Sequence, residues 1–359
     1  MKASLSWDAA DEWLSLPGEP AELFDAVEER GWGDGLPVVP PTADRVQACL
    51  DTVAADADEL LGVMPVAGGE VTPAKVAANA VLAGCPSAAF PVVLTAISAM
   101  LQPQFNLTGL QATTHPVAPL LVVHGPITRE LGMNWGSGAF GPGNLANATI
   151  GRAVRLSLMN IGHARPGRGD RATQGQPSKY SYCVAENADE SPWEPYHVSQ
   201  GLTAETSAVT VYGAENPHNV NDHVNDDAKG LLGTVALTLA NGGCNNVHFT
   251  QGEIFVALGP EHAASIASSG FTREDVQLWL YDHARLPLRD LRGRNMWDGR
   301  AWPAWMNADA DDDPERRMPV VRAPHALRVL VVGGPGKHSC VIPGFGETHS
   351  ITQPLVERA

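Results

Sequence analysis

Four apolar runs constrain what this chain can become. They are "PVAPLLVVHGPI" (116–127), "TSAVTVYGAE" (206–215), "GEIFVALG" (252–259) and "ALRVLVVGG" (326–334). Each is rich in β-branched residues and lacks a regular apolar/polar alternation. Such runs predict strands covered on both faces. Helix signals stand between them. "PAELFDAVEERG" (20–31) is amphipathic and stopped by glycine. Thr42 is a predicted N-cap, and Thr72 another, with Pro73 at the first helical position and Gly84 as the stop. "FPVVLTAISAML" (90–101) is apolar all round, which predicts a buried helix. Helices are also predicted over 147–162, 228–243, 260–270 and 272–285. The last opens on a capping box, Thr272 with Asp275. Strand, polar loop, helix thus recurs. The order predicts an α/β fold, with mixed or parallel sheets covered by helices, and two related lobes with the site between them. The expected divisions are a helical and extended segment (1–70), a first lobe (71–200), and a second lobe (201–359) carrying the C-terminal strand.

Composition narrows the function. A chain of 359 residues, 44% hydrophobic, can bury a large core. Its net charge of -16 argues against nucleic acid and against anionic membrane surfaces. A few local donors can still hold an anionic small molecule. No apolar run is long enough to cross a membrane, and "MKASLSWDAADEWLSLPGEP" does not read as a secretory signal. The five cysteines lie far apart with no C-x-x-C spacing, which fits a reduced compartment. The expectation is a cytoplasmic protein, homo-oligomeric, with a small-molecule substrate.

Several loops carry chemistry-bearing residues. The Gly-rich loop 132–146 runs into a helix near Asn147, where backbone N–H groups can hold a carboxylate or phosphate, with Ser137 beside them. It has neither the dinucleotide fingerprint nor a nucleophile elbow. The segment "QGQPSKYSYCVAENADESPW" (174–193) offers Lys179 and Tyr180 as donors, Glu186 as a general base and Asn187 as an anchor. "GAENPHNVNDH" (213–223) offers Asn216 to substrate, and His218 and His223 to a divalent metal. In "NADADDDPERR" (307–317), Asp309, Asp311 and Asp313 alternate as in a calcium loop. Pro314 and Val320 stand where glycine and glutamate are needed, so a solvated acidic loop is expected.

The C-terminal stretch "VVGGPGKHSCVIPGFGETHS" (331–350) fails the Walker pattern, because His338 follows Lys337. A strand ending in a glycine turn is nonetheless where open α/β sheets place ligands. Lys337 can hold an anion and His338 can move a proton. Ser339 or Cys340 can act as a nucleophile. Alternation along extended chain sets Lys337 and Ser339 on one side and His338 on the other.

"GWGDGLPVVPPTADRV", "VTPAKVAANAVLAGC", "NATIGRAVRLSLMNIG", "QGQPSKYSYCVAENADESPWEPYH" and "VLVVGGPGKHS" together resemble a broad bacterial family grouped loosely with the UGSC-type (seleno)proteins. The resemblance spans nearly the whole chain. It implies one integrated enzyme-sized unit with the final turn inside the fold, and it brings no reaction. The chain has no selenocysteine and no Cys-Gly-Ser-Cys run.

These observations favour a small-molecule enzyme doing acid–base chemistry on a polar or anionic substrate, a hydrolase or lyase assisted by a divalent metal. Its site is expected where loops 132–146, 174–187, 213–223 and 333–346 meet. A thiol-dependent oxidoreductase using Cys340 and a non-catalytic small-ligand binding protein are the alternatives.

Overall fold

The structure, a computed structural model, describes residues 2–4, 13–15, 17–249, 252–291, 293–294, 313 and 315–358. Most of the acidic segment 307–317, with Asp309 and Asp311, lies outside the described residues. The chain is α/β and forms two compact units. The first takes in Met1–Glu186, Pro195–Gly213 and His349–Ala359, the second Asn187–Glu194 and Ala214–Thr348. The N-terminal segment therefore shares a unit with the C-terminal one. The divisions fall at Glu186 and Gly213, where the sequence reading set one at 200.

In the first unit, helices α1 (Pro20–Glu29), α2 (Ala43–Leu50), α3 (Pro73–Leu82), α4 (Phe90–Met100) and α5 (Leu145–Asn160) surround a four-stranded sheet. α4 is buried on nearly every face because its only polar side chains return to its own backbone. Thr95 Oγ1 donates to the Pro91 carbonyl at 2.7 Å and Ser98 Oγ to Leu94 at 2.9 Å. α5 begins two residues before the predicted start, with Asn144 as N-cap. Thr72 caps α3 as expected, whereas Thr42 makes no side-chain cap bond. The sheet holds β1 (Ala118–His124), β2 (Cys183–Ala185), β3 (Ala208–Ala214) and β8 (Ile351–Pro354), in the order β8-β3-β1-β2. β1 and β2 are parallel, and β3 and β8 antiparallel.

The second unit has β4 (His218–Asn221), β5 (Ile254–Leu258), β6 (Leu327–Val331) and β7 (His338–Pro343), in the order β4-β7-β5-β6. Helices α6 (Ala228–Leu239), α7 (Pro260–Ser268) and α8 (Arg273–His283) accompany it. Both halves of the predicted capping box of α8 are formed. Here β5 and β6 are parallel, and β4 and β7 antiparallel. Among the described residues no single helix is long and apolar enough to cross a membrane.

The two sheets repeat one plan. A central strand pairs with a parallel strand on one side and a third strand on the other, and an antiparallel edge strand closes the row. The central strands both end in a Gly-Pro step, Gly125-Pro126 and Gly259-Pro260. Each third strand is preceded or opened by a serine that accepts from the chain beside that step. Ser207 Oγ takes the Ile127 N–H and Ser339 Oγ the Gly259 N–H, both at 3.0 Å. The edge strands are exchanged in chain order. β4 follows β3 but completes the second sheet, and β8 follows β7 but completes the first.

Candidate functional site

The carboxyl ends of parallel strands are where α/β sheets present chemistry. In the first unit, β1 ends on His124. The ladder with β2 runs Leu121–Cys183, Val122–Val184, Val123–Ala185, so Glu186 is next in register to His124. Its N–H bonds the Val123 carbonyl at 3.0 Å. Both side chains are buried. His124 Nδ1 and Glu186 Oε2 are 2.7 Å apart, and His124 Nε2 meets Thr210 Oγ1 at 2.9 Å. Thr210 is linked to Thr352 on β8 at 2.9 Å. The other Glu186 oxygen accepts the Tyr196 N–H at 2.8 Å. The Tyr196 ring stacks on His124 with centroids 5.7 Å apart.

His197 completes the group. It lies on the short helix Tyr196–Ser199, 1% exposed, with its ring centroid 5.6 Å from that of His124. Neither ring nitrogen completes a hydrogen bond of good geometry, although the Thr203 and Ala204 backbone comes close enough to pull the ring's pKa upward. Burial, and then the neighbouring His124, hold its pKa below the ordinary histidine value against the pull of Glu186. The ring is therefore neutral and keeps a lone pair. One ligand atom each from His124, Glu186 and His197 lie within 4.8 Å of one another, so the three could hold a metal ion.

The second unit shows that its plan does not need this polarity. Where His124 closes β1 and Glu186 follows β2, the matched pair of β5 and β6 is Leu258 opposite Val331. Three residues after Ser207 stands Thr210, and three after Ser339 stands Ile342. The polar trio of one unit is an apolar trio in the other. Burying polar and ionisable groups costs free energy that apolar side chains do not incur. A trio that the plan can do without points to a use other than folding.

The remaining predicted residues are spread between the units. Lys179 is paired with Asp170 in the first unit (Nζ–Oδ2 2.7 Å), and Tyr180 is exposed. Asn147 does not face an anion at the helix start. Its side chain joins Asn134 and Ala139, and its N–H goes to Asn144, which closes the Gly-rich loop on itself. Ser137 is exposed on that loop. In the second unit Asn187 is buried, holding Glu190 and the Gly333 carbonyl. Asn216 is exposed before β4.

His218 and His223 do not form the expected metal pair. Within the segment read as a polar loop, His218–Asn221 form strand β4, where His218 lies opposite Val341 while His338 lies opposite Asn221. Three residues of strand separate those positions by about 10 Å. His223 meets His338 instead, Nε2 to Nε2 at 3.3 Å.

The C-terminal turn also differs from its expected geometry. Gly336 has φ +131° and β7 starts at His338, so strand alternation begins only there. Lys337 and His338 both reach the 223–226 loop, through Asp226 (2.6 Å) and His223. Ser339 turns inward to His262 Nδ1 at 2.8 Å. His262 Nε2 faces the Asp222 carbonyl at 3.0 Å. A carbonyl only accepts, so in the neutral ring Nε2 carries the proton and Ser339 donates to Nδ1. With the Gly259 N–H on its oxygen, Ser339 is tied into the helix start, as Ser207 is in the first unit.

Burial pushes the Cys340 thiol up to about 12, Cys85 to about 12, and Cys49 and Cys244 to about 11, with Cys183 raised further still. A thiolate is the reactive form. Ellman's reagent at pH 8 should therefore label the native chain far more slowly than the unfolded chain, which should release all five equivalents. Rapid labelling of Cys340 would revive the oxidoreductase alternative.

Of the three, the sequence singled out Glu186, as a candidate general base. His124 and His197 were missed. His124 closes an apolar run and reads as core. The signal that singles it out is the repeated x-Gly-Pro ending, where its counterpart is Leu258. Set against known proteins, the chain matches no family model, no curated protein and no solved structure.

Proposed function

We propose that the chain is a small-molecule enzyme of the hydrolase or lyase class. It does acid–base chemistry on a polar substrate at His124, Glu186 and His197, with a divalent transition metal held by the three. The observation that carries this reading is His197, a buried neutral imidazole with no well-formed hydrogen bond on either nitrogen, set beside a His–carboxylate pair. A buried polar atom without a partner costs about 1–3 kcal/mol, and a metal would remove that cost. Two imidazoles and a carboxylate are a donor set used by zinc hydrolases and by non-haem iron enzymes.

The surrounding groups suit that role. Metal-bound histidines commonly give their other N–H to a fixed acceptor. His124 Nε2 has Thr210 there, itself bonded to Thr352. The Tyr196 N–H fixes Glu186. The proton shared by His124 and Glu186 must leave when both become ligands, so affinity should fall as pH falls. A bound zinc ion would supply a hydroxide near neutral pH.

The test is metal content. Chain produced with zinc, cobalt or manganese in the medium should carry close to one equivalent by mass spectrometry. His197→Ala and Glu186→Gln should each lose at least about tenfold in affinity. A folded wild-type chain that takes up none of these ions, nor iron, would overturn the metal centre.

A further inference from the structure

The first unit contains a second feature that the acid–base centre does not use. A cleft of about 480 Å³ is lined by Asp34, Arg155, Asp170, Gln174, Lys179 and Tyr180, among others. A volume of this order suits a small organic ligand. The cleft lies by the segment leading into β2, and a smaller cavity that shares Arg155 and Lys179 with it touches Ala118, where β1 begins. His124 is at the other end of β1, about 20 Å away at about 3.3 Å per residue. The two sites are separate.

The wall carries two carboxylates, Asp34 and Asp170, and two cations, Arg155 and Lys179, and Arg152 stands behind Asp34 as a third cation. Asp170 accepts from Arg155 Nη2 at 3.0 Å and from Lys179 Nζ at 2.7 and 2.9 Å. One carboxylate thus faces two cations. Asp34 acts on Arg155 only through space, while Arg152 holds both Asp34 oxygens at 2.7 and 2.8 Å. Beyond these bonds and one from Arg155 to the Ala164 carbonyl, a guanidinium with five N–H groups and an ammonium with three still have donors to offer. Those donors border a half-open cleft, where a charge is screened less than in bulk water. Tyr180, 56% exposed, lines the same cleft and supplies an aromatic side chain against which a planar ligand can pack.

We propose that this cleft is a binding site for a small molecule bearing one oxyanion, a carboxylate or a phosphate. The oxyanion takes the remaining donors of Arg155 and Lys179, and the ligand body lies along Tyr180. The site stands at the amino ends of the parallel strands. It is therefore a site distinct from the acid–base centre, and its test does not depend on that centre holding a metal.

Isothermal titration with benzoate, benzamide and inorganic phosphate tests it directly. Benzoate and benzamide share shape and differ in charge. The expected result is saturable binding of benzoate or phosphate, with benzamide at least about tenfold weaker than benzoate, as charge-assisted bonds require. Lys179→Gln should weaken anion binding by about tenfold or more. Should that variant fail to fold, Gln174→Glu supplies the same test, since it adds a negative charge at an exposed position of the wall. Loss of anion binding in either folded variant supports the site. Absence of saturable binding by both anions, equal binding of benzamide, or binding untouched by Gln174→Glu would overturn it.

Discussion

Gly125→Ala should strip the first unit of its protected centre, at a cost of about 2–5 kcal/mol. Two penalties combine. Gly125 has φ +78°, which costs an L-residue about 1–2 kcal/mol. A Cβ there would also stand 2.3 Å from the Thr206 carbonyl oxygen and 3.0 Å from Ser207 Cα. Those atoms are backbone, so the chain leading into the third strand must move, and overpacking of this kind costs about 1–3 kcal/mol. The movement would pull Ser207 from the Ile127 N–H and shift Thr210, the partner of His124. Gly259→Ala provides the control. Its Cβ would meet the His338 carbonyl at 2.2 Å, but its φ is -68°. Only the overlap remains there, about 1–3 kcal/mol. Hydrogen exchange followed by mass spectrometry separates the two. Gly125→Ala should deprotect peptides covering Ala118–His124 more strongly than Gly259→Ala deprotects Ile254–Leu258. Equal protection in wild type and Gly125→Ala would show that the Gly-Pro step is not what sets the central strand against its neighbour.

That pair of glycines also shows what the sequence could disclose. The central strands were legible because both faces are covered, which writes an unbroken apolar run into the chain. α8 was legible because Thr272 and Asp275 satisfy each other within one turn. The edge strands β4 and β8 were not. "HNVN" and "ITQP" are short, mostly polar, and become strands only through partners distant in sequence. β2, "CVA", is too short to have a period. The same limit hid the site. Glu186 follows β2, His124 closes β1, and His197 sits in a Pro-rich segment between them and β3. Only the register of a parallel pair, which no local pattern encodes, brings the first two together. Lys337 to Cys340 had the opposite fault. Four reactive residue types in a row drew the eye, yet the fold sends Ser339 inward, leaves His338 exposed and half-buries Cys340, whose thiol is pushed up to about 12.

The largest loss from a single side chain is expected at Asp170, in the wall of the cleft. Asp170→Ala should destabilise the chain by about 3–5 kcal/mol, because it leaves Arg155 and Lys179 half-enclosed without their shared partner. In a unit of this size such a loss lowers Tm by about 10 °C. Charge and packing make different forecasts for the double variant. If the loss is electrostatic, Arg155→Met should recover part of it in the Asp170→Ala background, since the stranded guanidinium is gone. If the loss is packing alone, the second change should add to it. The pH dependence gives an independent check. Burial pushes the Asp170 carboxyl up, but Lys179 and then Arg155 more than offset this and hold its pKa below the ordinary 3.8. A carboxylate with a depressed folded pKa contributes stability that is present above its unfolded value and is lost as pH falls through the folded one. The gap between wild type and Asp170→Ala should therefore be constant from pH 7 to about 5 and narrow below about 3.8. A gap that stays fixed through that range, measured by denaturant titration at each pH, would mean that the carboxylate's charge contributes nothing and that the cleft has no electrostatic asymmetry to offer a ligand.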